Sequence, residues 1–324
     1  MKVLVIPDVH GSHEWEAARR SGPADYDYVV FLGDYFDSWE NEWPDQGENF
    51  RKICAFVRED SEHRKLLLGN HDWSYLSRTK YGSGVSGHQN SHIDEIRTLL
   101  SENHDILDIA FECKADCQGG RVVFSHAGFS RTWVNSLRDV FGIPEEEWSV
   151  SFLNEQWHKL SFDPKDENFN YAFEEILDWH GFFSGSGNEI TQGPLWIRPE
   201  ALLKDAFYET QLVGHTEYCL GDFIILSEKD ATVDRKNTLI VSDSSKHILF
   251  DVIDTECLSE WLQENTISLQ EFNRFYKHTM KKILDIKSRE FAAADYSKES
   301  ALKNLSEAFG EKLSKRYYRM FFES

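Results

Sequence analysis

Five short apolar runs, each closed by glycine or polar residues, punctuate the first two thirds of the chain: Val3-Leu4-Val5-Ile6, Tyr28-Val29-Val30-Phe31-Leu32, Leu66-Leu67-Leu68, Val122-Val123-Phe124 and Leu212-Val213. Runs of this length with no polar alternation predict strands buried on both faces. Between them, apolar residues recur at helical spacing: Ile53, Phe56 and Val57 in one segment, Ile93, Ile96, Leu99 and Leu100 in another. A further helical stretch is expected from Glu14 to Arg20. Short strands are expected again at Phe223 to Leu226, Leu239 to Val241 and Ile248 to Val252, as a second sheet packed on the first. Strands alternating with helices indicate a layered α/β fold.

Residues 131–207 break this rhythm. They read as a helical insertion, interrupted at Pro144, Pro164 and Gly181 to Gly193, and rich in rings: Trp133, Trp148, Trp157, Phe173, Trp179, Phe182, Phe183 and Trp196. These rings either make the insertion's own core or, as a lid, shape a pocket. The expected organisation is a catalytic domain over 1–255 that contains this insertion, followed by a C-terminal helical extension over 256–324. The extension's basic patch, Lys312, Lys315, Arg316 and Arg319, reads as a solvated helix face.

Charge narrows the choice of partner. With 35 basic and 56 acidic residues the net charge is -21, which argues against duplex nucleic acid, since that binding relies on cationic side chains. Phosphorylated substrates stay open, because metal ions can supply the local positive charge. The five cysteines are scattered and odd in number, as in a reducing compartment. No stretch is apolar enough to span a bilayer, and the first strand begins almost at Met1, so a cytoplasmic location is expected.

The chemistry lies where the apolar runs end. Asp8 and His10 follow the first, Asp34 and Asp37 the second, Asn70-His71-Asp72 the third, His126 the fourth and His215 the fifth. Carboxyl ends of buried strands deliver such residues to one rim, where ligands bind. Histidines, aspartates and an asparagine gathered there suit two divalent ions. Asp8 and His10 can serve one ion, Asp34 can bridge, and Asn70, His126 and His215 can serve the other. His71 is left over as a general acid, with Asp37 to orient its other ring nitrogen.

The order Asp-x-His, Gly-Asp-x-x-Asp, Gly-Asn-His-Asp, His-Ala-Gly, Gly-His-Thr resembles the calcineurin-like metallophosphoesterases, and among them the serine/threonine phosphatase type and its bacterial relatives. The resemblance spans about residues 1–253, mostly in these motifs. It implies a β-sandwich flanked by helices. It also implies two metal ions, manganese first, with iron or zinc as alternatives. Asp8, His10 and Asp34 would hold one ion, and Asp34, Asn70, His126 and His215 the other. His71 and Asp37 would form the proton-donating pair.

Departures from the family pattern refine the expectation. Gly214-His215-Thr216-Glu217 lacks the second histidine of the nuclease- and diesterase-like branches, which favours a phosphatase. Asp37 is followed by Ser38-Trp39 where the family has the arginine that grips phosphate, and Arg198 in Trp196-Ile197-Arg198 is the candidate replacement. The expected activity is phosphate monoester hydrolysis by direct hydroxide attack. The rivals are a phosphodiesterase or dinucleoside-polyphosphate hydrolase and, in another class, a non-catalytic scaffold. Asp72 is expected to hold the loop that carries His71, and Asp243 to stand behind the site. His13, His88, His92, His158, His180 and His247 fall outside the motifs.

Overall fold

The computed structural model describes residues 2–16, 26–38, 40–77, 85, 87–115, 120–163, 165, 166, 168–178, 187–216, 223–230, 235–242, 252–254, 266–268 and 303. Within them lie two sheets. The first contains β1 (Lys2–Ile6), β2 (Tyr28–Phe31), β3 (Arg64–Leu67) and β4 (Leu107–Asp108), parallel and in that order. The second contains β5 (Ala110–Ala115), β6 (Gly120–Ser125), β7 (Thr210–Val213), β8 (Phe223–Asp230) and β9 (Arg235–Ser242), with β6, β7 and β9 side by side and parallel. Two short strands complete the edges. β10 (Val252–Asp254) pairs antiparallel with β1, and β11 (Thr266–Ser268) lies parallel to β8.

The sheets face one another across a shared apolar layer. Val3, Val5, Val30, Leu32 and Leu67 of the first meet Val122, Phe124, Leu212 and Ile240 of the second, all buried. Alternate residues of the same strands, Ile6, Phe31 and Leu66, point the other way, into a core shared with the helices. Burial on both faces is why these strands read as unbroken apolar runs; each such side chain contributes about 1.5–3 kcal/mol. The result is the expected sandwich flanked by helices.

On the outer face of the first sheet lie α1 (Asp45–Arg58), α2 (Asn70–Leu76) and α3 (Ile93–Glu102). The insertion supplies α4 (Arg131–Phe141), α5 (Val150–Lys159), α6 (Tyr171–Leu177) and α7 (Pro199–Lys204). Ser130, Ser149 and Asn170 cap α4, α5 and α6 by accepting a backbone N–H three residues on, which satisfies amides the helix itself cannot. Trp133, Trp148, Trp157 and Phe173 are buried in the core that also holds Trp73 and Phe129. Those rings are core; Trp179, Phe182 and Phe183 lie outside the described residues.

Two sequence expectations change here. Val252–Asp254 belongs to the first sheet, not the second, because its partner is the β1 backbone at Lys2 to Leu4. Thr266–Ser268 is a strand inside the segment read as helical. The basic patch and the remainder of the extension, except Lys303, fall outside the described residues. The helix expected from Glu14 is helical at Trp15 and Glu16, and the residues after it are also outside.

Candidate metal centre

Backbone bonds between neighbouring loops assemble the site. After β1 and β2 the chain keeps pairing beyond the sheet: His10 N–H donates to the Asp34 carbonyl at 2.6 Å and Gly11 N–H to Tyr35 at 3.0 Å. On the second sheet, Gly214 N–H donates to the His126 carbonyl at 2.8 Å. The loops after β1, β2 and β3 therefore meet those after β6 and β7 at one end of the sandwich. Among the described residues, the four non-glycine positions with positive φ all lie here: His10 (42°), Asp34 (54°), Asp37 (65°) and His215 (61°). Left-handed backbone in bulky residues is costly and persists where surroundings impose it.

Gly33 and Gly69 make the crossing of two loops possible. Gly33 sits at φ 114°, and a Cβ there would overlap the Gly69 amide nitrogen; a Cβ on Gly69 would overlap the Asp34 carboxylate. Asp72 then ties the loops together. Its two oxygens accept the N–H groups of Asp34 (2.8 Å), Gly69 (2.9 Å) and Tyr35 (2.8 Å). Asp72 is the third residue of α2, so the Gly69 contact also caps that helix.

The side chains converge as follows. His126 donates Nδ1–H to the Leu32 carbonyl at 2.9 Å, so its Nε2 carries a lone pair. That lone pair faces Asn70 Oδ1 at 2.8 Å and His215 Nδ1 at 3.2 Å, and the latter two are 3.1 Å apart. Three electron-pair donors thus point at each other with at most one N–H among them. Ligands at right angles around one ion, about 2.1 Å from it, lie about 3 Å from each other, which is this spacing. His10 donates Nδ1–H to the Phe36 carbonyl at 2.8 Å, which turns its Nε2 toward Asp34 Oδ2 at 3.7 Å. Asp34 Oδ2 is also 3.6 Å from His126 Nε2. Two groups, His10 with Asp34 and His71, and Asp8 with Asp34 and His126, each bring their ligand atoms within 4.8 Å of one another, and Asp34 is common to both. The donor set fits two divalent cations sharing one carboxylate.

Electrostatics agree with a cation site. Burial would raise the Asp34 carboxyl, but His126, His71, His10 and His215 outweigh it and hold the group well below the ordinary carboxylate range. Burial pushes Asp8 up, aided by Asp34 and opposed by His126. His215 is driven well below the usual histidine range by burial, by His126 and by the Arg198 charge. A neutral imidazole is the form that ligates metal.

His71 stands at the rim, with its Nδ1 2.8 Å from Asp37 Oδ2 and its ring edge-on to His10 at 4.9 Å. Burial would lower its pKa, yet the Asp34 and Asp37 carboxylates lift it to about 9. Arg198 immediately precedes α7 at its N-cap position, its backbone N–H bonded to the Gly187 carbonyl at 2.7 Å. It acts on the centre through its charge on His215. The Ser38 hydroxyl accepts the N–H groups of Glu40 and Asn41.

Sequence reasoning missed several contributors. The Leu32 and Phe36 carbonyls fix two histidine tautomers, and a carbonyl leaves no mark on residue type. The Tyr75 hydroxyl donates to Asp37 Oδ1. Trp196 stands edge-on to His215 at 6.5 Å, its indole N–H held by the Leu177 carbonyl at 3.1 Å. Of the other histidines, His13 pairs with Asp45 and His158 with Asp108, while His88 stacks on Tyr75 and His92 on Trp43. His180, His247 and Asp243 lie outside the described residues.

The sequence profile of the calcineurin-like phosphoesterases matches residues 1–216. No curated protein sequence matches the chain. Solved structures that align with it include a cold-active protein tyrosine phosphatase, with 16% identity over 75% of this chain and 71% of that one and a TM-score of 0.44. A metallophosphoesterase from Sphaerobacter thermophilus aligns with 14% identity over 75% and 76%, TM-score 0.29. A protein serine/threonine phosphatase from Saccharomyces cerevisiae, similar to human PP5, aligns with 13% identity over 75% and 67%, TM-score 0.38.

Proposed function

The chain belongs to the calcineurin-like phosphoesterases, metal-dependent hydrolases of phosphoester bonds, and from that premise we propose that it is a phosphate monoesterase of the serine/threonine phosphatase type. Asp8, His10 and Asp34 would hold one divalent ion and Asp34, Asn70, His126 and His215 a second, with manganese the first metal to try. The observation that carries this reading is the convergence of Asn70 Oδ1, His126 Nε2 and His215 Nδ1 beside a carboxylate shared with His10. Bound there, two cations supply an acidified water and offset charge on the phosphate oxygens.

The chain's own groups do the rest. His71, its Nδ1–H donated to Asp37, presents Nε2 to the site and gives its proton to the leaving alkoxide. Arg198, whose charge already reaches His215, binds phosphate oxygens in place of the arginine absent after Asp37. We read 1–255 as the catalytic unit, with 131–207 inserted in it, and 256–324 as an extension.

The reading is tested with metal-stripped protein reloaded with manganese, iron or zinc. Phosphoserine and phosphotyrosine peptides, nucleoside monophosphates and p-nitrophenyl phosphate are assayed beside bis(p-nitrophenyl) phosphate and a dinucleoside polyphosphate. Faster monoester turnover is expected; a preference for either diester-type substrate overturns it.

A further inference from the structure

Asp37 is wholly buried and both of its oxygens are engaged, Oδ2 by His71 and Oδ1 by the Tyr75 hydroxyl. Tyr75 is itself held on every side. Its ring is stacked on His88 (4.3 Å between centroids, 13° between planes) and meets the edge of Phe36 at 6.1 Å. Its hydroxyl accepts the Gln89 backbone N–H at 2.8 Å, which leaves its own proton for Asp37. Burial and the Asp37 charge keep the phenol protonated. The tyrosine side chain also spans two elements: Tyr75 is on α2 beside His71, whereas Asp37 is in the loop after β2.

We propose that Tyr75 is a positioning residue of the proton-donating pair, its hydroxyl fixing the Asp37 carboxylate so that Asp37 in turn holds His71 with Nδ1–H inward and Nε2 toward the site. A carboxylate bound at one oxygen can swing about its terminal torsion, and that torsion is soft. Bound at both oxygens it offers His71 a single acceptor direction. Without the hydroxyl, Oδ1 is a buried acceptor with one partner fewer, and the carboxylate can turn to recover it at the cost of the His71 bond. The inference rests on the phosphomonoesterase reading for its kinetic consequence, but its structural consequence is independent of it.

Tyr75→Phe removes one oxygen and keeps the ring between His88 and Phe36. Leaving groups that need a proton separate a mispositioned acid from general damage. The variant is expected to lower kcat on an alkyl phosphate about tenfold more than on p-nitrophenyl phosphate, the scale of losing a group behind a functional side chain. KM should stay unchanged. In an Asp37→Asn background the same substitution should add nothing. In metal-free, nitrogen-15-labelled protein, the His71 Nδ1 proton, sheltered by its bond to the buried Asp37 carboxylate, should exchange with water faster in the variant than in the wild type.

Equal losses on both substrates, full additivity with Asp37→Asn, an unchanged exchange rate of the His71 Nδ1 proton or an altered far-ultraviolet circular dichroism spectrum would each overturn the proposal in favour of a structural role. The two readings fail separately. A wild-type protein inert toward every monoester refutes the activity, whereas unchanged exchange of the His71 Nδ1 proton in an active enzyme refutes the role of Tyr75.

Discussion

Asp8 and His215 are 207 residues apart in sequence, and Asp8 Oδ1 accepts the His215 backbone N–H at 3.1 Å. One residue follows β1 of the first sheet and the other follows β7 of the second. The bond therefore clips the two halves of the sandwich together at the centre itself.

Charge and architecture can be separated at this position. Asp8→Asn keeps an oxygen that can accept from His215, so the fold should survive while the negative charge is lost. We expect kcat to fall about 100-fold or more, the upper range for groups that support a metal. Metal analysis should show one ion lost. A variant with full metal content and near-normal turnover would remove Asp8 from the centre.

Gly69→Ala tests the crossing of the loops. Its backbone angle is ordinary (φ -100°), so the cost comes from the Cβ driven into Asp34. Overpacking of this kind costs about 1–3 kcal/mol, and we expect lower stability in urea together with lost activity. Gly142→Ala is the contrast. Gly142 ends α4 at φ 64° with open space around its missing Cβ, so stability should drop by about 1 kcal/mol while activity is retained.

Arg198→Ala should raise KM for a phosphate monoester about tenfold or more, as expected for loss of hydrogen bonds to a charged group. kcat should change less, and Arg198→Lys should recover part of the loss because it restores charge without the planar fork. An unchanged KM would leave the phosphate clamp unassigned.

A pH effect on stability is expected away from the centre. His104 packs against Trp157 and Phe162 at 4.6 and 5.1 Å. Burial, with the neighbouring His158 charge, lowers its pKa from 6.5 to about 4. As pH falls the unfolded chain takes up this proton first, so the contribution of His104 is present above the unfolded value and lost on the way down to about 4. Urea midpoints should therefore drop more between neutral and mildly acid pH in the wild type than in His104→Leu. Equal drops would show that His104 is readily protonated in the folded protein.

What the sequence disclosed depended on whether the signal was local. β1, β2 and β3 are bracketed by sheet and helices on their two faces, so their apolar runs and the polar residues after them were plain to read. β5 was not: Ala110–Ala115 is an edge strand in which Glu112 and Lys114 interrupt the apolar positions. α2 was hidden because Asn70 to Asp72 read as a ligand-bearing loop, although the Asp72 bond to Gly69 is a helix start. Tyr75 could not be found at all. Its hydroxyl matters only through Asp37, 38 residues away, and nothing in a single sequence ties the two. The pairing of β10 with β1 is non-local in the same way.

The four left-handed residues at the site carry one more implication. A side chain in that conformation costs about 1–2 kcal/mol that glycine would not incur. Glycine at 37 would relax the backbone and leave His71 without its carboxylate; glycine at 34 would relax it and remove the bridge between the ligand groups. At His10, Asp34, Asp37 and His215, selection for a sturdier protein and selection for a faster one therefore pull in opposite directions. Variants chosen only for heat resistance should drift toward glycine at these positions and lose turnover as they do.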